Sequence, residues 1–147
     1  MRRKNRYDTA VLDENQFEPG SRRRVLKNLL GITSKREMDR MEGREQVRVL
    51  EELAGLYDSD HRFTATDICG MPRLWLGRIY PQAGKYRRVN VKKDSFPFAA
   101  AALIPKLMAE FEDGPLKHHT PCRSASPEHL TAALAEVHTE LVLIHPF

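Results

Sequence analysis

Cysteine is nearly absent: Cys69 and Cys122 are the only two in 147 residues. That excludes a disulfide framework and points to a reducing compartment. Long hydrophobic runs are lacking too. The greasiest stretch, residues 96–108, falls short of the ~20 residues a membrane-spanning helix needs, and Pro97 and Pro105 cut it. The amino terminus has no apolar core of a secretory signal, because Tyr7-Asp8-Thr9 and Asp13-Glu14-Asn15 interrupt it. These absences predict a cytoplasmic protein without membrane attachment. There is no internal repeat and no low-complexity tract. Aromatics make up 7% and interleave with no basic stripe, which argues against nucleic acid as a partner despite a net charge of +4. Arg2, Arg3, Lys4 and Arg6, followed by Arg22, Arg23 and Arg24, read as a solvated basic face.

What is present is a one-domain length with helical periodicity. Residues 1–20 are polar, end in Pro19-Gly20 and are expected to form a flexible basic arm. A short helix is expected over 21–30, with Gly31 as its C-terminal cap. A longer one starts at Thr33 or Ser34 and runs to about Tyr57, with an apolar face of Met38, Met41, Val47, Leu50, Leu53, Ala54 and Tyr57. The next begins near Thr66-Asp67 and places Ile68, Met71, Trp75 and Ile79 on one core stripe. Pro72 fits that pattern only inside the first turn. The period then changes. Val89 and Val91 alternate with polar residues, Lys92-Lys93-Asp94-Ser95 supplies a turn, and Phe96 and Phe98 alternate again, which predicts a β-hairpin. Residues 99–112 return to helix, with a kink or restart at Pro105. In the last element Ser126 is the N-cap, Pro127 the first helical residue, and Glu128 faces the positive helix end. Leu130, Leu134, Val137, Leu141 and Ile144 share its apolar stripe. The expected fold is all-α with one β-hairpin.

Taken alone, His145 is a histidine at a helix C-terminus, where a ring more often serves the helix dipole than chemistry. His118-His119-Thr120-Pro121-Cys122 with Cys69 could supply metal ligands, but reads better as a polar surface loop, so no metal site is assigned. The closing octet, Glu140-Leu141-Val142-Leu143-Ile144-His145-Pro146-Phe147, resembles the opening of the Fic signature: His-Pro-Phe, any residue, Asp or Glu, then Gly-Asn-Gly-Arg, two residues and Arg. Three further stretches resemble Fic sequences in the family's order. They are Arg24-Val25-Leu26-Lys27-Asn28-Leu29-Leu30-Gly31-Ile32-Thr33, Ile79-Tyr80-Pro81-Gln82-Ala83-Gly84-Lys85-Tyr86-Arg87, and Val89-Asn90-Val91-Lys92-Lys93 through Phe98. Two departures are Gln82, where the family often has an aromatic residue, and Met71-Pro72, where a His is common.

The resemblance implies a mainly helical Fic (Fic/Doc, Fido) domain over residues 21–147, with a flap at about 87–98 and a final helix at about 127–144. It implies transfer of AMP from ATP, with Mg²⁺, to a hydroxyl on a target protein. His145 would be the base and Phe147 would anchor the motif loop in the core. Val89, Asn90, Val91, Lys92, Lys93 and Phe96 would form the docking edge for the target. A small antitoxin-like inhibitor is a further partner the family suggests. Thr33 and Glu37 match the spacing of an autoinhibitory motif, but Met38 fails its last place. Glu42-Gly43 has the right ending, with Met38 where Ser or Thr belongs. Ser34 with Glu37 also reads as a plain capping box. No residue follows Phe147 in this sequence, so the domain is expected to be incomplete at its C-terminus, inactive alone, and prone to self-association through the final helix. A non-catalytic protein-binding module using the flap edge and basic arm is the alternative.

Overall fold

Capping chemistry sets where most of the helices begin. The computed structural model describes residues 13–147; residues 1–12 of the expected arm, with Arg2, Arg3, Lys4 and Arg6, lie outside them. After a 3₁₀ turn at Asp13–Asn15, the helix expected over 21–30 does not form. Arg22 and Arg23 take φ of 54° and 60°, which no right-handed helix accommodates. Phe17 and Leu26 pair instead in an antiparallel bridge. The Asn28 side chain closes the segment, accepting from the Leu30 and Ile32 N–H groups and donating to the Ile32 carbonyl. Gly31 is left-handed at φ 64°, but it turns a loop rather than ending a helix.

Helix α1 spans Lys35–Leu56, started by Ser34, whose hydroxyl accepts from the Glu37 N–H. Its buried residues are Met38 and Val49, so the expected apolar face needs correction. Val47 is 63% exposed and Leu50 59%. The seam is turned by polar groups: the Trp75 indole N–H and the Tyr80 hydroxyl both donate to Glu42, and Arg48 donates to the Leu74 carbonyl. Helix α2, Ala65–Leu76, opens with a capping box between Thr64 and Asp67. Pro72 lies in its interior, not in the first turn. The ring removes only the one ladder bond that would reach the Ile68 carbonyl, and the helix continues for another turn. Ile79 is fully buried but lies beyond the helix.

The hairpin is shorter than expected and shifted toward its tip. Strand β1 is Lys92–Lys93 and β2 is Phe96–Pro97, antiparallel, pairing Lys92 with Pro97 and Lys93 with Phe96. The two lysines expected in the turn are thus the strand, and the turn is Asp94-Ser95, with Asp94 at φ 54°. Helix α3, Ile104–Phe111, follows a 3₁₀ turn and carries Pro105 in its first turn, where a missing N–H is harmless. A π-turn at Glu112–Leu116 leads into the single turn α4, Lys117–His119. Helix α5, Pro127–Ile144, starts as expected, with Ser126 accepting from the His129 N–H.

Two cores result. One gathers Val25, Ile32, Met38 and Ile79 beneath α1 and α2. The other gathers Ile104, Met108, Phe111, Leu116 and Ile144 between α3 and α5. The amide of Ala65 donates to the Glu112 carboxylate at 2.5 Å, tying the start of α2 to the end of α3. The fold is mainly helical with one small hairpin, as expected. Among the described residues no helix is long and apolar enough to cross a membrane.

Candidate active site

Pro146 disfavours helical geometry in the residue before it, so α5 must break at His145. His145 takes φ 47° and ψ 66°, in the left-handed region, while its N–H still bonds to the Leu141 carbonyl. Beyond that point the carbonyls of Ile144, His145 and Pro146 have no helical donors. Arg87 supplies them. Its Nε donates to the His145 carbonyl at 2.6 Å and its Nη2 to the Ile144 carbonyl at 3.2 Å. Its backbone N–H donates to the Pro146 carbonyl at 2.8 Å. The same guanidinium reaches the hairpin: Nη1 donates to the Val89 carbonyl at 2.7 Å and Nη2 to the Ala99 carbonyl at 2.5 Å. Arg87 is only 5% exposed. Burial pulls its pKa down, with Glu14 opposing, yet a guanidinium stays protonated in proteins. The charge is compensated by carbonyl dipoles and by its place at a helix C-terminus.

Above this turn the His145 ring stacks on Phe98, with centroids 4.3 Å apart and planes at 18°. Phe98 in turn meets Phe96 edge-on at 5.4 Å, so an aromatic ladder runs from the hairpin to the imidazole. Burial, and then the nearby Arg87 cation, push the His145 pKa below its ordinary 6.5. The ring is therefore neutral at pH 7. Among the described residues none hydrogen-bonds to the ring.

The expected docking residues divide into two groups. Val89, Asn90 and Val91 form a fixed leg rather than an open strand. The Val89 carbonyl is held by Arg87, the Asn90 side chain accepts from the Ala101 N–H at 2.8 Å, and the Val91 carbonyl accepts from the Phe98 N–H at 3.2 Å. Lys92, Lys93 and Phe96 form the exposed tip, with Phe96 50% exposed. A cavity of about 610 Å³ runs beside the leg, lined by Asn15, Arg88, Asn90 and Ala101 among others. Phe147, expected in the core, is 38% exposed. The left-handed turn at His145 sends Pro146 inward instead, and the Phe147 ring stands 6.3 Å from that of Tyr86. Thr33 and Glu37 are exposed at the start of α1, where the Glu37 N–H is taken by Ser34 and Thr33 lines a separate basic cavity. The structure does not bring them into the His145 cluster. Glu42 is engaged by Tyr80.

A sequence profile of the Fic/DOC family matches residues 62–147, more than half of the chain. The chain belongs to the Fic/DOC family. Among solved structures, this Fic/DOC chain is similar to the N-terminal Fic domain of a VirB-translocated effector protein from Bartonella sp. AR 15-3, with TM-score 0.68 and 20% identity over 83% of this chain and 60% of that one. It is also similar to the N-terminal Fic domain of a putative cell filamentation protein from Bartonella quintana, solved with bound ADP: TM-score 0.67, 22% identity, 83% of this chain and 63% of that one. A third is the BepC protein of Bartonella tribocorum with bound AMPPNP, at TM-score 0.61 and 19% identity over 83% of this chain and 64% of that one. At these identities the likeness is one of fold, and the chain spans 60–64% of the length of these three structures. No curated protein sequence matches it.

Within this Fic/DOC domain, Arg87 is the site residue that sequence reasoning missed. It closes the Gly84-Lys85-Tyr86-Arg87 segment that carries the resemblance, but nothing in the sequence marks which of 24 basic residues will be buried. Among the described residues no three His, Cys, Asp or Glu side chains gather as metal ligands. His119 is paired with Glu136 at 2.8 Å, and Cys122 is exposed.

Proposed function

We propose that this domain serves the transfer of AMP from ATP to a hydroxyl of another protein, with His145 as the proton acceptor and the hairpin as the docking edge. The observation that carries the reading is a neutral imidazole at a helix end, free of protein hydrogen bonds and stacked beneath the hairpin. Such a ring can take the proton of an incoming hydroxyl near neutral pH. The Val91–Phe98 and Lys93–Phe96 pairs hold the bonds between the two strands, which leaves the Lys92 N–H and carbonyl facing outward, and strand addition there would hold an extended target segment above His145. ADP and AMPPNP in two of the similar structures support an adenine nucleotide as donor.

The residues present do not fit Mg²⁺ or the nucleotide phosphates. Among those described, no carboxylate cluster gathers and no glycine-rich loop adjoins His145. In the family these tasks fall to the acidic residue and the Gly-Asn-Gly-Arg run, which residues 1–147 do not contain. Loss of even one oriented donor lowers rates about 10²–10³-fold, so residues 1–147 alone are expected to transfer no AMP. The deciding assay follows label from ATP onto protein, using a polypeptide that carries the whole motif. Label lost in His145→Ala, with the fold kept, supports the reading; label that survives the substitution refutes it. Target binding without any transfer would favour the non-catalytic binding module.

A further inference from the structure

We propose that Arg87 is a positioning residue that locks the base of the flap to the turn carrying His145, so that docking edge and proton acceptor keep one fixed spacing. Its side chain bonds two carbonyls on the hairpin legs, Val89 and Ala99, and two at the end of α5, Ile144 and His145. Without a donor between them, four carbonyl oxygens would face one another with their dipoles opposed and unsatisfied. A planar guanidinium meets them because its nitrogens point in fixed, diverging directions; an ammonium offers one point.

Two further links lie across the same seam. The Ala99 N–H donates to the Leu143 carbonyl at 3.3 Å, and the Phe98 ring lies on the His145 ring. The tip, with only two residue pairs, carries none of these links. The flap is thus an exposed tip on a clamped base, and a target held at the tip is referred to His145 through Arg87. The catalytic meaning of this clamp rests on the role proposed for His145, whereas the clamp itself can be tested without nucleotide or target.

The experiment combines amide hydrogen exchange with NMR of the aromatic rings on the 147-residue chain. In the unmodified chain the amides of Arg87, Phe98 and Ala99 should exchange together, as one opening unit. In Arg87→Met, Phe98 and Ala99 should exchange at least about tenfold faster, and the upfield ring-current shift that Phe98 imposes on His145 should vanish. Val49, in the other core, should keep its rate. Arg87→Lys keeps the charge but not the fork, and should still show the faster exchange. The clamp is overturned if Phe98 and Ala99 open independently of Arg87 in the unmodified chain. It is equally overturned if Arg87→Lys restores both readouts, or if Arg87→Met changes neither. Should Arg87→Met not fold, the unmodified chain and Arg87→Lys decide. Failure of AMP transfer in the motif-complete protein would remove the base role and leave these results standing.

Discussion

Replacing Ile144 by alanine removes three carbon atoms from a site 5% exposed, packed among Ile104, Met108, Phe111 and Leu116. At about 0.8 kcal/mol per buried carbon, the lost transfer free energy is about 2.4 kcal/mol. The hole left between α3 and α5 adds to this, giving about 3–5 kcal/mol in a core that relaxes only partly. Against a typical margin of about 5–15 kcal/mol that is a large fraction. At about 3 °C per kcal/mol for a chain of this size, the midpoint should fall about 9–15 °C. Leu134 was expected on the same stripe of α5, yet it is 53% exposed. Leu134→Ala should therefore cost no more than about 1 kcal/mol, or about 3 °C. Calorimetry of both variants at several protein concentrations measures the difference and separates it from self-association. Equal costs for the two truncations would refute the assignment of α5's buried face.

The folded chain binds a proton at His145 less readily than the unfolded chain, whose histidine titrates at the ordinary 6.5. Its stability should thus be fully present above that value and decline as pH falls through it; urea melts at pH 7.5 and 5.5 should show the decline, and His145→Gln should flatten it. Gly84 sits at φ +75°, and a β-carbon there would lie 2.4 Å from the Cys69 carbonyl oxygen and 2.6 Å from the Arg73 β-carbon. Gly84→Ala should cost about 2 kcal/mol or more in denaturant melts, and a neutral result would contradict that close approach. The exposed Leu130 and Leu134 should make the mass measured by sedimentation rise with concentration, and Leu134→Ser should suppress the rise. The hairpin tip should exchange its amides fastest among the hydrogen-bonded segments; strong protection at Lys93 and Phe96 would count against a mobile tip.

Where local chemistry decides, the sequence was legible. Ser34, Ser126, Pro127 and Pro105 each sit at the helix start that their capping or ring geometry favours, and the hairpin was foreseen from its change of period. It failed where distant groups decide. Residues 21–30 have helical composition, but the Phe17–Leu26 bridge and the Asn28 side-chain bonds fix a loop. The face of α1 was read from apolar spacing, whereas Glu42 and Arg48 bind partners on and beside α2 and turn Val47 and Leu50 outward. The site divides in the same way. His145 was named from the tripeptide it begins, while Arg87 acquires meaning only when carbonyls from residues 89, 99, 144 and 145 converge on it.

Trp75 is the sole tryptophan, and its indole N–H is bound to the Glu42 carbonyl at the seam of α1 and α2. Intrinsic fluorescence therefore watches one of the two cores and is blind to the other, where Ile144 and the turn bearing His145 reside. Far-ultraviolet dichroism, recorded on the same denaturant series, sums over every helix and so adds α3 and α5 to what the tryptophan reports. Curves that superimpose would mean that the halves melt as a single cooperative body. Dichroism lost before the fluorescence changes would mean that helix away from the tryptophan's seam loosens while the tryptophan signal still reports a native molecule.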